Sequence, residues 1–198
     1  MTRRDGATDD SLAHHRAGHR LRRAFGRALL RVTGWRIEGD VPTDPKFVAI
    51  VAPHTSNWDF LIGVIAMFAL DLRVRWLGKH SLFRWPLGPL LRSLGGRPVR
   101  RDTAHGVVGD IADAIRAEPE FILALAPEGT RRHVDAWRTG FYHIARQANI
   151  PIVPVTLDWG RREITIDPPV HPSGDMARDI ERLRARYKSE MALHAKGF

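Results

Sequence analysis

Residues 47–59 read FVAIVAPHTSNWD. The first six are apolar without interruption, which is typical of a short strand that is buried on both faces of a parallel sheet. Pro53 predicts the end of that strand, and Ser56 or Asn57 can cap a helix that follows it. A second run of this kind, FILAL, covers residues 121–125. Because ligand sites in such sheets lie beyond the carboxyl ends of the strands, the residues after these two runs are the first candidates for a functional site.

The rest of the chain alternates between amphipathic segments and short apolar runs bounded by glycine and proline. The pattern predicts a single α/β layered domain in which a mixed or largely parallel sheet is flanked by helices. Helices are predicted over 57–70, 103–117, 139–147 and 179–194, with a short broken helix in 82–94. Further strands are predicted over 35–38, 74–77, 152–157 and 163–166, the last of them at an edge of the sheet.

The N-terminal part of the chain differs from the rest. Residues 1–10 are charged and small and predict a disordered tail, and residues 11–34 predict a basic amphipathic helix ahead of the main domain, residues 35–198. The apolar residues that share one face of this helix are Leu21, Phe25, Leu29 and Val32. Such a helix either lies in an anionic membrane interface or packs on its own domain, and the sequence leaves both interpretations open.

Composition narrows the class of protein and its partners. The 198 residues, 43% of them hydrophobic, are enough for one domain with a core. A net charge of +9 indicates an anionic partner, such as phospholipid headgroups, a phosphorylated small molecule, an acidic carrier protein or nucleic acid. No nucleic-acid-binding signature accompanies the charge, so we expect no nucleic acid partner.

The chain has no cysteine, which excludes disulfides, thiolate metal ligands and an acyl-cysteine intermediate. No signal peptide is visible at the N-terminus. The longest apolar stretch, residues 60–70, is well short of the roughly 20 residues that span a bilayer. We therefore expect a protein that, if it works at a membrane, lies on its surface.

His54 and Asp59 are the first pair with chemical potential. Residues five apart differ by about 140° around a helix and point to opposite faces of a strand, so the two side chains meet only if the chain turns between them. The predicted strand-to-helix turn supplies that geometry. Asp59 can then fix the tautomer of His54 and raise its basicity, which makes a general-base dyad. The alternative is a capping aspartate beside a polar loop histidine.

Two other interpretations of this segment are weaker. A serine nucleophile at Ser56 lacks the G-x-S-x-G elbow. A metal site built from His54, Asp59 and His80 lacks the usual H-x-x-x-H or H-E-x-x-H spacing.

Glycine and arginine follow the second buried run. Residues 126–132 read APEGTRR, in which Gly129 allows close backbone approach and Thr130 lies beside two arginines. Residues 95–102 read GGRPVRRD and are similarly rich in glycine and arginine. Both segments suit a phosphate or another anion, and the alternative for each is a glycine turn with solvated arginines. Residues 150–155, IPIVPV, fit an apolar wall.

Together these four blocks, in this order, resemble the glycerolipid acyltransferase family, the lysophosphatidate and glycerol-3-phosphate acyltransferases. Residues 54–59 look like its H-x4-D block, 96–101 like its second block, 127–131 like its P-E-G-T-R block, and 150–155 like its proline-containing fourth block. The resemblance covers roughly residues 35–170. Two departures concern the acceptor: Pro53 stands where the family often has Asn, and Arg100 where it usually has an acidic residue.

The resemblance implies roles for individual residues. His54 is the general base and Asp59 its partner. Arg101 and Arg131 hold a phosphate of the acceptor, and the acceptor site is shaped by Glu128, Gly129 and Thr130. No metal or organic cofactor is implied. An apolar channel or bilayer contact for the acyl chain can come from residues 82–91, for which ordinary core is the alternative.

The implied activity is an O-acyltransferase of phospholipid biosynthesis, similar to 1-acylglycerol-3-phosphate O-acyltransferases. It moves a fatty acyl group from acyl-CoA or acyl carrier protein to a hydroxyl of a lysophospholipid or glycerol-phosphate-like acceptor. The expected location is cytoplasmic, peripheral on the cytoplasmic face of an anionic membrane. The alternatives are an acyltransferase acting on a different lipid alcohol, a non-catalytic basic lipid-binding protein, and a thioester hydrolase.

Overall fold

The computed structural model describes residues 7–99, 104–130 and 134–194. Its helices are α1 (Ala7–Thr33), α2 (Asn57–Leu70), α3 (Leu87–Ser93), α4 (Ala104–Ala117), α5 (Gly140–Ala148) and α6 (Met176–Arg184), with short 3₁₀ turns at His80–Phe83 and Ser189–Met191. Its strands are β1 (Arg36–Glu38), β2 (Lys46–Ala52), β3 (Val74–Lys79), β4 (Gly96–Val99), β5 (Phe121–Leu125), β6 (Ile152–Asp158) and β7 (Glu163–Ile166).

The described strands form one sheet in the order β1-β7-β6-β2-β5-β3-β4. The pair β6 and β7 is antiparallel, and the other neighbouring pairs are parallel. The α/β layered fold with a largely parallel, mixed sheet is therefore confirmed. At its centre, β2 lies between β5 and β6, so the carboxyl ends of these three strands meet at one edge of the sheet.

Side chains of β2 point alternately to the two faces of the sheet, and helices cover both faces. Val48, Ile50 and Ala52 pack in a core with residues of α4, α5 and α6. Behind the other face, α1 and α2 join residues of β6 and β7 in a second cluster around Leu30, Ile62, Ile65, Leu157 and Ile164. Burial on both sides explains why β2 has no polar residue after Lys46.

Several predicted elements differ from the structure. The sequence predicted β7 at an edge of the sheet. The strand lies one position inside the edge, because β1 pairs with its outer side. Residues 96–99, predicted only as part of an anion site, form the edge strand β4. The last helix ends at Arg184 instead of 194. Helix α1 begins at Ala7, inside the predicted tail, and residues 1–6 lie outside the described part of the chain.

Helix α1 packs on α2 through a face next to the predicted one. Gly26 lies directly against the backbone of α2, where a Cβ atom at this position would be 2.3 Å from the Ala69 nitrogen. Leu30 is buried, whereas Leu21, Phe25 and Val32 are more than half exposed. The helix therefore packs on its own domain and still presents most of its predicted apolar face to the outside.

Candidate active site

The turn between β2 and α2 is fixed by a capping box. The Ser56 hydroxyl accepts a hydrogen bond from the Trp58 N–H at 3.2 Å, and the Asp59 carboxylate accepts one from the Ser56 N–H at 2.6 Å. Ser56 has extended backbone dihedrals, as an N-cap residue requires. The predicted strand-to-helix turn is therefore present, with Ser56 as the cap.

This turn brings His54 and Asp59 together. His54 Nδ1 lies 3.6 Å from Asp59 Oδ2, within ion-pair range but longer than a hydrogen bond. The Asp59 side chain is 1% exposed and that of His54 is 22% exposed. Asp59 thus completes the capping box and also faces the imidazole, so the two interpretations of the sequence are compatible. The catalytic role of the pair stays a prediction.

Glu128 reaches the same turn from the neighbouring strand. It follows β5, and its carboxylate accepts a hydrogen bond from the His54 backbone N–H, 3.1 Å from Oε2. Glu128 is only 3% exposed. Burial raises the pKa of this carboxyl group to about 7; the nearby charge of Asp59 also raises it, and the His54 N–H opposes the shift. The structure thus joins the P-E-G-T-R segment to the histidine through a contact that the sequence did not predict.

The turn after β5 depends on a glycine. Gly129 has φ +66°, a left-handed conformation that favours glycine, and its N–H donates to the Ala126 carbonyl at 3.0 Å. Thr130 follows it and is half-buried. The predicted phosphate ligands Arg101 and Arg131 lie outside the described residues. The anion site assigned to these residues therefore stays a prediction.

Trp159 contacts Asp59 of the dyad, a contact that the sequence did not predict. Its indole Nε1–H donates to Asp59 Oδ1 at 2.7 Å, across 100 positions of sequence. Trp159 directly follows β6, whose carboxyl end lies beside that of β2. The rule that ligand sites lie at the carboxyl ends of strands applies to this residue too, but nothing in the sequence indicates that β6 is the neighbour of β2.

The apolar segment after β3 is mostly on the surface. Phe83 is buried, whereas exposed large side chains come from Leu82, Trp85, Leu87 and Leu90. Ordinary core packing therefore describes Phe83 and not these four. Within the described ranges, no helix combines the length and apolar character that a membrane span needs. No group of three His, Asp or Glu side chains in the same ranges is arranged to hold a metal ion.

Comparisons with known proteins agree on one family. The family model described as Acyltransferase matches residues 35–158. A 1-acyl-sn-glycerol-3-phosphate acyltransferase of Haemophilus influenzae is 28% identical over 155 residues, which are 73% of this chain and 62% of that protein. The 1-acyl-sn-glycerol-3-phosphate acyltransferase alpha of Ovis aries is 26% identical over 172 residues, which cover 76% of this chain and 58% of that protein. The chain thus spans about 60% of the length of these curated relatives.

A solved structure supports the fold. The crystal structure of the 1-acyl-sn-glycerophosphate (LPA) acyltransferase PlsC from Thermotoga maritima superimposes with a TM-score of 0.54. The match covers 86% of this chain and 81% of that one, at 19% sequence identity. At this identity the likeness shows a shared fold.

Proposed function

The chain belongs to the acyltransferase family, and on that premise we propose that it is an O-acyltransferase of phospholipid biosynthesis. It moves a fatty acyl group from acyl-CoA or acyl carrier protein to a hydroxyl of a lysophospholipid or glycerol-phosphate-like acceptor. The names of its curated relatives, 1-acyl-sn-glycerol-3-phosphate acyltransferases, support this substrate class. The observation that carries the proposal is the approach of His54 to the buried carboxylate of Asp59 at the carboxyl end of β2.

In the proposed mechanism His54 is the general base. Nδ1 faces Asp59, so the other ring nitrogen, Nε2, takes the proton of the acceptor hydroxyl. The acceptor oxygen bonds to the thioester carbonyl carbon, the C–S bond breaks, and the leaving thiolate takes the proton back from the imidazolium. General-base catalysis of this kind contributes roughly 10²–10⁴ to the rate. Further acceleration comes from positioning of the two substrates.

The acceptor phosphate is the proposed partner of the arginines. Arg101 and Arg131 bind it through charge-assisted hydrogen bonds, and the turn at Gly129 and Thr130 shapes the space beside it. The contact between Glu128 and the His54 backbone supports this arrangement, because it holds the P-E-G-T-R segment next to the base.

The first test measures thiol release from palmitoyl-CoA, with and without lysophosphatidic acid vesicles. We expect release that depends on the acceptor and falls by roughly 10²-fold or more in His54→Ala. The matched control is His171→Ala, which removes an exposed loop histidine and should keep full activity.

Other outcomes separate the alternatives. Release without any acceptor indicates a thioester hydrolase. If no transfer occurs with coenzyme A or carrier-protein donors across several lipid alcohols, and the protein still binds vesicles, it is a non-catalytic lipid-binding protein. Full activity of His54→Ala contradicts the role of the base.

We further propose that the protein is cytoplasmic and binds the cytoplasmic face of an anionic membrane through α1. The exposed apolar residues Leu21, Phe25 and Val32 support this, since neighbouring positions of the helix carry exposed arginines at 20, 23, 27 and 31. The exposed apolar side chains between β3 and β4 supply a second contact.

Substitution is a sharper test of this surface than truncation. Removing α1 would also remove Leu30 from its buried place against α2. The double variant Leu21→Ser/Phe25→Ser should lose cosedimentation with anionic vesicles and keep the thermal stability of the wild type. Unchanged binding would reject α1 as the membrane surface.

A further inference from the structure

We infer that Trp159 is a positioning residue of the active site, which orients the carboxylate of Asp59 so that its Oδ2 atom faces His54. The inference rests on the proposed function, since it assigns Asp59 a role beside a catalytic base. Trp159 lies outside all four sequence blocks that resemble the family, and only the folded structure brings its indole to Asp59.

The two oxygens of Asp59 have different partners. Oδ2 accepts the capping N–H of Ser56 at 2.6 Å and lies 3.6 Å from His54 Nδ1. Oδ1 accepts the indole N–H of Trp159 at 2.7 Å. Rotation of the carboxylate would break bonds at both oxygens. The capping bond alone holds one oxygen, so Trp159 supplies the second point that fixes the plane of the group.

Burial makes this second bond necessary. The Asp59 side chain is 1% exposed, so water does not satisfy Oδ1 in place of the indole. A buried carboxylate oxygen without a hydrogen-bond donor is costly, and the bond from Trp159 satisfies the second oxygen of Asp59. An aspartate that only capped a helix on the surface would have no need of a tryptophan. The arrangement fits a buried carboxylate whose orientation toward His54 matters.

The indole is itself held in place. Its ring packs edge-on against Trp35, with 5.0 Å between centroids and an interplanar angle of 90°. Its backbone N–H donates to the Met191 carbonyl at 2.9 Å. The turn that carries it is closed by the Arg161 N–H, which donates to Asp158 Oδ1 at 2.9 Å. A donor fixed at the ring and at the backbone can hold its acceptor in one orientation.

The kinetic test uses two Trp→Phe variants of matched chemistry. Trp159→Phe keeps an aromatic ring and removes the N–H. Trp76→Phe is the control, because its indole N–H donates to the Leu94 carbonyl at 2.9 Å and contacts no part of the dyad. We expect Trp159→Phe to lower kcat by roughly tenfold to a hundredfold. KM should stay within about twofold, since Trp159 touches no substrate in this scheme.

A spectroscopic test reads the contact without any activity. The chain has six tryptophans, and the indole ¹H–¹⁵N signal of Trp159 is the one missing from the spectrum of Trp159→Phe. In Asp59→Asn this signal should move more than those of the other five, because its acceptor has lost its charge. A signal that does not respond would overturn the inference.

The two tests separate the possible failures. If the wild type transfers acyl groups and the kcat of Trp159→Phe equals that of Trp76→Phe, the positioning role is wrong and the proposed function stands. If the wild type transfers nothing to any acceptor, the proposed function fails, and the indole signal still decides whether Trp159 holds Asp59.

Discussion

Glu128 predicts a pH dependence of stability that a single substitution removes. Its carboxyl group ionises near pH 4.5 in the unfolded chain, and in the fold its pKa is about 7 because the group is buried. Between these values the folded protein keeps a proton that the unfolded chain has released. The stability that Glu128 contributes is therefore full below about pH 4.5, falls as the pH rises, and is lost as the pH passes through the folded pKa of about 7.

The magnitude follows from the shift. About 2.5 pKa units at 1.36 kcal/mol each give a ceiling of about 3.4 kcal/mol. Relaxation of the surrounding protein lowers the cost of a buried charge, so we expect about 2 kcal/mol of this ceiling to be observed. Glu128→Gln retains an oxygen that accepts the His54 N–H, but its side chain cannot ionise, so the stability of this variant lacks that pH dependence.

Urea unfolding from pH 4.5 to 8 measures the effect. The free energy of unfolding of Glu128→Gln, minus that of the wild type, should rise by about 2 kcal/mol over this range. The difference cancels the contributions of groups that titrate equally in both proteins. The control Glu120→Gln removes an exposed carboxylate by the same substitution, and the rise for Glu128→Gln should exceed any change that the control gives. A flat difference for Glu128→Gln would refute the assignment of a buried, proton-binding Glu128.

Two glycine substitutions test the packing around the site. Gly26→Ala places a Cβ atom against the backbone of α2 at Ala69 and should lower the free energy of unfolding by about 2 kcal/mol or more. Its control, Gly63→Ala on the open side of α2, should raise that free energy by up to about 1 kcal/mol. Equal melting temperatures of the two variants would contradict the close helix contact. Gly129→Ala places an alanine at φ +66° and should lower the free energy of unfolding by about 1 kcal/mol or more. Gly140→Ala, where the added methyl group meets open space, should be tolerated. Denaturant unfolding that ranks the two variants in the opposite order would contradict the turn.

The local parts of the site were predictable from the sequence. The strand β2, the end of that strand at Pro53 and the cap at Ser56 follow from short-range rules of burial and capping, and the structure has all three. The approach of His54 to Asp59 required only that turn. The left-handed backbone conformation at Gly129 lies in the segment for which the sequence predicted a glycine turn or close backbone approach.

The contacts between elements could not be predicted from the sequence. The pattern of β7 predicted a strand but not that β1 would cover its outer side. The spacing in α1 predicted an apolar face, and the fit of Gly26 against α2 selected the neighbouring one.

The same division explains the partners of the dyad. Periodicity and capping act over a few residues, so they predicted most of the strands and helices, β4 excepted, and the turn at which a histidine and an aspartate meet. The hydrogen bonds from the His54 N–H to Glu128 and from the Trp159 indole to Asp59 join residues 74 and 100 positions apart. They exist because β5 and β6 pair with opposite sides of β2, and that order of strands is set by which apolar surfaces bury one another in the whole fold.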